Sequence, residues 1–264
     1  MSSQDVSFRQ SFVEIDGCRT SLRRGGSGAP LLFLHGASGA PAILPFMEKL
    51  AQRFEVLVPE HPGYGFSDEP EWLDNIHDLA YFYLDFLKQL DLENVTLVGS
   101  SLGGWIALEM AVRDTSRLRA LVLVSPAGIR APGLQPADTF LMSPEELARQ
   151  LFHDPKFAQA RLAEPVTPES VDTSLKNRHA TARLAWEPRL HDPHLQKWLH
   201  RIDVPVQLIW GDQDRILPLG FLDIFRKLMP SAKAAVVKDA GHLPHVEKSE
   251  EFCDLVTRFV QGVA

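Results

Sequence analysis

Cysteine is scarce, with two in 264 residues, Cys18 and Cys253, near opposite ends of the chain. That excludes a disulfide framework and makes a reducing cytoplasm the expected compartment. Long apolar runs are also missing. No stretch approaches the ~18 residues a membrane span requires, and the first ten residues, MSSQDVSFRQ, lack the apolar region of a secretory leader. No dense Lys/Arg stripe is present and the formal net charge is −7. Neither nucleic acid nor membrane is therefore expected as a partner. Repeats, low-complexity tracts and flexible linkers are absent too. What is present is an ordinary globular balance, 45% hydrophobic and 23% charged, at a length that suits one α/β core with an insertion.

Short apolar runs bounded by turn residues recur at Leu31–Leu34, Glu55–Pro59, Val95–Val98, Leu121–Val124, Val206–Trp210 and Ala234–Val237. Runs this short, apolar on both faces, suit central strands of a parallel sheet. Helical patterns such as Ile76–Leu90 and Leu102–Val112 lie between them. Phe12–Ile15 and Arg19–Leu22 flank Asp16-Gly17, a hairpin signal. The alternation stops after Val124. Ser143-Pro144, Asp154-Pro155, Thr167-Pro168 and Asp192-Pro193 each pair an N-cap residue with proline at the first helical position, and Glu146 adds a capping box to the first. The expected organisation is a core of residues 1–131 and 203–264 interrupted by a helical insertion over 132–202, made of four short helices.

The stretch VGSSLGG, Val98 to Gly104, joins an apolar strand to a helix through only Gly99, Ser100 and Ser101. Such a turn strains its central residue and demands small neighbours two positions before and after. Counted from Ser101, those positions are Gly99 and Gly103, so the spacing is that of a nucleophile elbow that raises Ser101 and not Ser100. A serine nucleophile needs a base and an acid on later strand ends. KDAGHLPH offers His242 just beyond Gly241, and GDQDRILP offers both Asp212 and Asp214.

At this point the chain resembles the α/β-hydrolase family along nearly its whole length. LLFLHGASG resembles the family's strand followed by His-Gly, and PEHPGYGFSD its loop after the fourth strand, with Pro62, Gly63, Gly65 and Ser67 in place. The resemblance implies an α/β fold with a mostly parallel eight-stranded sheet, helices on both faces, and a helical cap between strands six and seven. It implies an oxyanion hole from the N–H groups of Ala37 and Leu102. It places the acid at the G-x-x-D position, which from Gly211 is Asp214, and leaves Asp212 a local role. No cofactor or metal is implied.

The expected function is a serine hydrolase acting on a carboxylic ester or lactone. An apolar insertion implies a small or medium apolar substrate, with Phe140, Met142, Trp186 and Leu243 as candidate lining residues. Haloalkane dehalogenases and epoxide hydrolases place Asp at the elbow, so Ser101 argues against both. Carbon–carbon bond hydrolases of aromatic degradation also use serine, although HGASG is shorter than their usual turn and Leu243 stands where they often carry Trp. A ligand receptor on the same fold is the rival of another class. His35 reads as a loop-ordering residue, His245 as part of the pocket rim, and His191 with His194 as a weak metal signal. Arg161, Arg178 and Arg183 are the insertion's candidate partners for a substrate carboxylate.

Overall fold

In the computed structural model, which describes residues 7–263, each of these apolar runs lies within a strand. The strands are β1 (Phe8–Ile15), β2 (Cys18–Gly26), β3 (Ala29–Leu34), β4 (Phe54–Pro59), β5 (Val95–Ser100), β6 (Leu118–Val124), β7 (Val206–Gly211) and β8 (Lys233–Val237). They form one sheet in the order β1-β2-β4-β3-β5-β6-β7-β8. β1 and β2 pair antiparallel, with Ile15 opposite Cys18 and positive φ at both Asp16 and Gly17, as a tight hairpin turn requires. β2 also runs antiparallel to β4, and the remaining neighbours are parallel.

The helices are α1 (Pro45–Leu50), α2 (Ile76–Gln89), α3 (Leu102–Arg113), α4 (Pro144–Leu151), α5 (Pro155–Ala163), α6 (Pro168–Ala185), α7 (Gly220–Leu228), α8 (Pro244–Glu247) and α9 (Ser249–Gln261). Alternate side chains of each central strand point to opposite faces. Leu32, Leu34, Leu97, Leu121 and Leu123 join the cluster of Phe86, Ile106 and Phe225 from α2, α3 and α7. Leu31, Phe33, Val98, Val122 and Val124 join that of Phe46, Phe252 and Val256 from α1 and α9. The sheet is thus buried on both sides, which is why its strands carry apolar residues without alternation. Among the described residues, no helix is long and apolar enough to cross a membrane. Both cysteines are buried and free.

Between β6 and β7 the chain forms α4, α5 and α6. Ser143, Asp154 and Thr167 each cap their helix with a side-chain oxygen ahead of proline, and Glu146 completes the first capping box. The fourth expected helix does not form. Asp192-Pro193 leads only into the 3-10 turns Leu195–Lys197 and Leu199–Arg201. The carboxylate of Asp192 is buried and accepts the His194 N–H two residues on, which closes a turn. The expectation of uniformly short helices also fails, since α6 runs 18 residues. A bridge between Gly128 and His191, with the Asp192 N–H donating to Gly128 O, joins the two ends of the insertion. Ala148, Leu151, Phe152, Ala158, Ala180 and Leu184 belong to the same apolar cluster as α2 and α3, so the insertion is packed on the core.

Candidate active site

β5 ends at Ser100 and α3 begins at Leu102, so Ser101 makes the turn alone. Its φ is 53° and its ψ −113°. A non-glycine residue keeps such a conformation only where its surroundings impose it. Here the Ser101 N–H donates to Val124 O (2.9 Å), and Ser101 O accepts from Trp105 N–H (3.1 Å) and Ala127 N–H (3.0 Å). A Cβ on Gly99 would collide with the carbonyl oxygen of Gly103, and one on Gly103 with those of Leu34 and His35. The same closeness brings the loop after β3 to the serine, since a Cβ on Gly36 would lie 3.4 Å from Ser101 Cβ. Ser100 Oγ, by contrast, is buried with no hydrogen-bond partner.

His242 follows β8 and Asp214 follows β7, two neighbouring strands of the sheet. His242 Nδ1 lies 2.9 Å from Asp214 Oδ2, and both residues are buried. Asp214 Oδ1 accepts from the N–H groups of Ile216 and Leu217, each at 2.9 Å. These bonds aim the carboxylate at the ring, so Nδ1 donates and Nε2 is left as the acceptor. Asp212, two residues earlier, makes no hydrogen bond to the ring among the described contacts. Its N–H donates to Val237 O and its Oδ1 is buried without a partner. Among the described contacts, Ser101 Oγ is not hydrogen-bonded to the ring.

The loop after β3 is braced from beneath. His35 Nδ1 donates to Gly36 O (2.8 Å), and its Nε2 accepts the His61 N–H (3.0 Å). His61 Nε2 donates to His35 O (2.9 Å), and its Nδ1 accepts from Tyr83 OH (2.6 Å). Each ring needs one protonated and one bare nitrogen, so both are neutral. Burial holds His35 down to about 4 and His61 well below the ordinary histidine value. Above this base, the N–H groups of Ala37 and Leu102 donate to no protein acceptor among the described residues.

Several residues that the sequence did not single out hold this region together. Asn177 of α6 donates through Nδ2 to Ser38 O (3.0 Å) and accepts the Gly65 N–H at Oδ1 (3.0 Å). Thr181 Oγ1 meets Tyr64 OH at 2.8 Å, and Lys176 Nζ reaches Gly65 O and Ser67 O. Polar residues on a helix carry no motif, so only their placement reveals them. His245 corrects an expectation. It is buried among Phe33, Phe46 and Phe252, not at a pocket rim, and burial lowers its pKa to about 3. It stands on α8, whose packing against α1 and α9 turns it inward. Trp186 is 52% exposed. Its ring meets Phe140 at 5.3 Å and lies under the Arg189 guanidinium at 3.8 Å. Met142 and Leu243 are half-buried.

His191 and His194 do not come together as a metal pair. His191 Nδ1 donates to Arg189 O, and His194 Nδ1 lies 2.9 Å from Lys197 Nζ. The group of three potential ligands among the described residues is instead His77, Glu109 and Asp192. The Arg113 guanidinium reaches Glu109 Oε2 at 2.5 Å and His77 Nδ1 at 2.7 Å. The charge of the buried Glu109 is therefore already met by an arginine, and the cluster joins α2, α3 and the end of the insertion.

The chain matches the alpha/beta hydrolase family over residues 31–255 and belongs to it. Among curated relatives, the 2-hydroxymuconate semialdehyde hydrolase of Pseudomonas sp. (strain CF600) is 28% identical over 266 residues, covering 92% of this chain and 91% of that protein. Among solved structures, an esterase from Rhodococcus sp. ECU1013 aligns with a TM-score of 0.79 at 22% identity, covering 98% of this chain and 100% of that one. The 2-hydroxy-6-oxo-6-phenylhexa-2,4-dienoate hydrolase of Rhodococcus sp. strain RHA1 aligns equally well, at 0.79 and 21% identity, covering 97% and 100%. The expected eight-stranded hydrolase fold is thereby met. The two structural likenesses are of fold alone.

Proposed function

We propose that the protein is a serine hydrolase that cleaves a carboxylic ester or lactone of a small to medium apolar substrate through an acyl-enzyme. The observation that carries this reading is the buried Asp214–His242 pair, beyond the carboxyl ends of β7 and β8, on the same end of the sheet as the strained turn of Ser101 after β5. Ser101 Oγ attacks the carbonyl carbon while His242 Nε2 takes its proton. Asp214 keeps the ring in the required tautomer and stabilises the imidazolium. The N–H groups of Ala37 and Leu102 receive the oxyanion. His242 then gives the proton to the leaving oxygen as its bond to the acyl carbon breaks; water, deprotonated by the same ring, attacks the acyl carbon, the bond to Ser101 Oγ breaks, and the ring returns the proton to Ser101 Oγ. No cofactor or metal enters this sequence. Residues 132–202 act as a cap over the site, with Phe140, Met142, Trp186 and Leu243 the residues to vary first for acyl-group preference.

A second reading, carbon–carbon bond hydrolysis of a vinylogous diketone, is supported by the semialdehyde hydrolase relative and by Arg161. Of the insertion's three candidate arginines, Arg183 pairs with Glu69 and Asp74, and Arg178 donates to the carbonyls of Phe140 and Met142. Arg161 instead reaches Ser38 Oγ at 3.3 Å, next to Ala37, and forms no ion pair within 4.0 Å among the described residues. Arg178 has no ion pair among the described residues either, but its guanidinium is engaged by the carbonyls of Phe140 and Met142, so Arg161 is the cation we assign to a substrate carboxylate.

The test is a panel of p-nitrophenyl esters, lactones and carboxylate-bearing vinylogous diketones with purified protein. The primary reading expects a short neutral ester to have the highest kcat/KM, with sustained turnover. A single slow acylation would instead indicate a receptor. A diketone preferred by about 100-fold, roughly 2.7 kcal/mol of transition-state preference, together with its loss in Arg161→Ala, would establish the second reading in place of the first.

A further inference from the structure

The loop that carries His242 is not held by the core alone. Gly241 N–H donates to Glu247 Oε2 (2.5 Å), and Asp154 N–H, at the start of α5, donates to Glu247 Oε1 (2.8 Å). One residue along, His242 N–H donates to Leu151 O at the end of α4 (2.9 Å). The two segments touch so closely that a Cβ on Gly241 would lie 2.6 Å from Leu151 O and 2.8 Å from His153 N.

Glu247 ends α8 and is 8% exposed. Among the described residues no Lys, Arg or His side chain pairs with it. An unpaired buried carboxylate is costly, and here two backbone donors offset that cost with charge-assisted hydrogen bonds. Glutamine would fill the same space, but it has one acceptor oxygen, and its NH₂ group would face the other N–H donor. Packing alone therefore does not account for an acid here. An acceptor at both ends does.

We propose that Glu247 is a positioning residue for His242, its two oxygens tying the base loop to the 151–154 turn of the insertion so that the imidazole is correctly presented while that turn is docked. The inference rests on the reading of His242 as the base. Gly241 is held through its N–H, His242 through its own N–H, and the ring through Asp214. Little freedom remains at the one residue whose misplacement by 1 Å costs on the order of 100-fold in rate. The insertion then acts on the chemistry as well as on the choice of substrate.

The experiment compares Glu247→Gln, Asp154→Pro and Asp154→Ala by steady-state kinetics on a p-nitrophenyl ester, well below each variant's melting temperature. Asp154 has φ −77°, within proline's range, so proline removes the N–H that meets Glu247. Alanine keeps that N–H and removes only the side-chain cap. Glu247→Gln and Asp154→Pro should each lower kcat by roughly 10- to 100-fold, the cost of a misplaced base, with KM nearly unchanged. Asp154→Ala should stay near wild type in kcat. The Glu247→Gln/Asp154→Pro double variant should be no worse than the poorer single one, because the two changes break the same link. A lowered melting temperature with wild-type kcat in Glu247→Gln would reduce the residue to a structural role and overturn the proposal, and this variant alone decides if Asp154→Pro does not fold. His242→Ala is measured alongside. If it still turns over, the reading of the base has failed. If it is dead while Glu247→Gln is normal, only the positioning role has failed.

Discussion

The loop after β3 and the outer stretch of the insertion, residues 161–172, lie at opposite extremes of constraint. In the first, His35 is buried against His61 of the loop after β4, with ring centroids 3.6 Å apart, and both rings are hydrogen-bonded at both nitrogens. Backbone carbonyls crowd the adjoining elbow so tightly that glycine is the only residue that fits at positions 99 and 103. In the second, every residue is exposed. The insertion is held elsewhere, by apolar residues such as Leu151, Phe152, Ala180 and Leu184 packed on the core, by Lys176, Asn177 and Thr181 of α6, and by its turn at 151–154. The geometry around Ser101 therefore depends on backbone sterics and buried polar groups, whose disturbance is costly. Substitutions in the exposed stretch are borne locally.

That contrast can be broken at its strongest point first. Ser101→Ala should lower kcat on the order of 10⁴-fold or more with the fold intact. Ser100→Ala, which removes an unbonded hydroxyl, should keep most activity. A fluorophosphonate probe should label the wild type and not Ser101→Ala, and equal labelling of the two would sink the assignment. Asp214→Asn should cost on the order of 10³- to 10⁴-fold in kcat by disturbing the His242 tautomer, and Asp212→Asn far less. Reversed effects would exchange the roles of the two aspartates.

The buried rings give the next largest effect. His35 and His245 are held to about 4 and about 3 by burial, and His61 well below the ordinary value. All three folded values lie below the unfolded value of about 6.5. The unfolded chain therefore binds protons first as pH falls. The stability these groups contribute is fully present above about pH 6.5 and is lost progressively as pH falls towards about 3, a change of several kcal/mol. Urea unfolding at pH 7.5 and pH 5 should show a clearly lower midpoint at pH 5, and equal midpoints would mean the rings are not buried neutral.

Gly103→Ala sharpens the comparison through its sign. At an ordinary helix position alanine is better than glycine by about 1 kcal/mol. Here its Cβ would meet the Leu34 and His35 carbonyls, so the change should destabilise by about 3 kcal/mol, read from urea denaturation. At the other extreme, Val166→Ser, at a position 82% exposed, should shift stability by no more than about 0.5 kcal/mol. A larger loss there would show that something covers the stretch in solution.

The elbow was legible because its signal is local. Two glycines at fixed distance from one serine encode a collision that only glycine avoids. The four proline-led helix starts were local signals too, yet one misled. Asp192-Pro193 has the right residues, but the buried Asp192 carboxylate closes a turn and β7 begins at Val206, which leaves only 3-10 turns between. His245 was misplaced for a related reason. Nothing in KDAGHLPH distinguishes a histidine at a pocket rim from one turned under α8 into an aromatic cluster.

By itself, then, the sequence determined the alternation of strand and helix, the hairpin, the position of the insertion and the strained turn at Ser101. Each of these is written in short-range periodicity or in backbone sterics within a few residues. The tertiary structure brought the Asp214 that the resemblance had pointed to against His242, and it alone decided that Arg161 reaches Ser38 and that Glu247 joins the His242 loop to the insertion. Those contacts link residues 28, 123 and 93 positions apart. A hydrogen bond across such a separation depends on where the sheet and its cap place the two ends, and no local pattern carries that information.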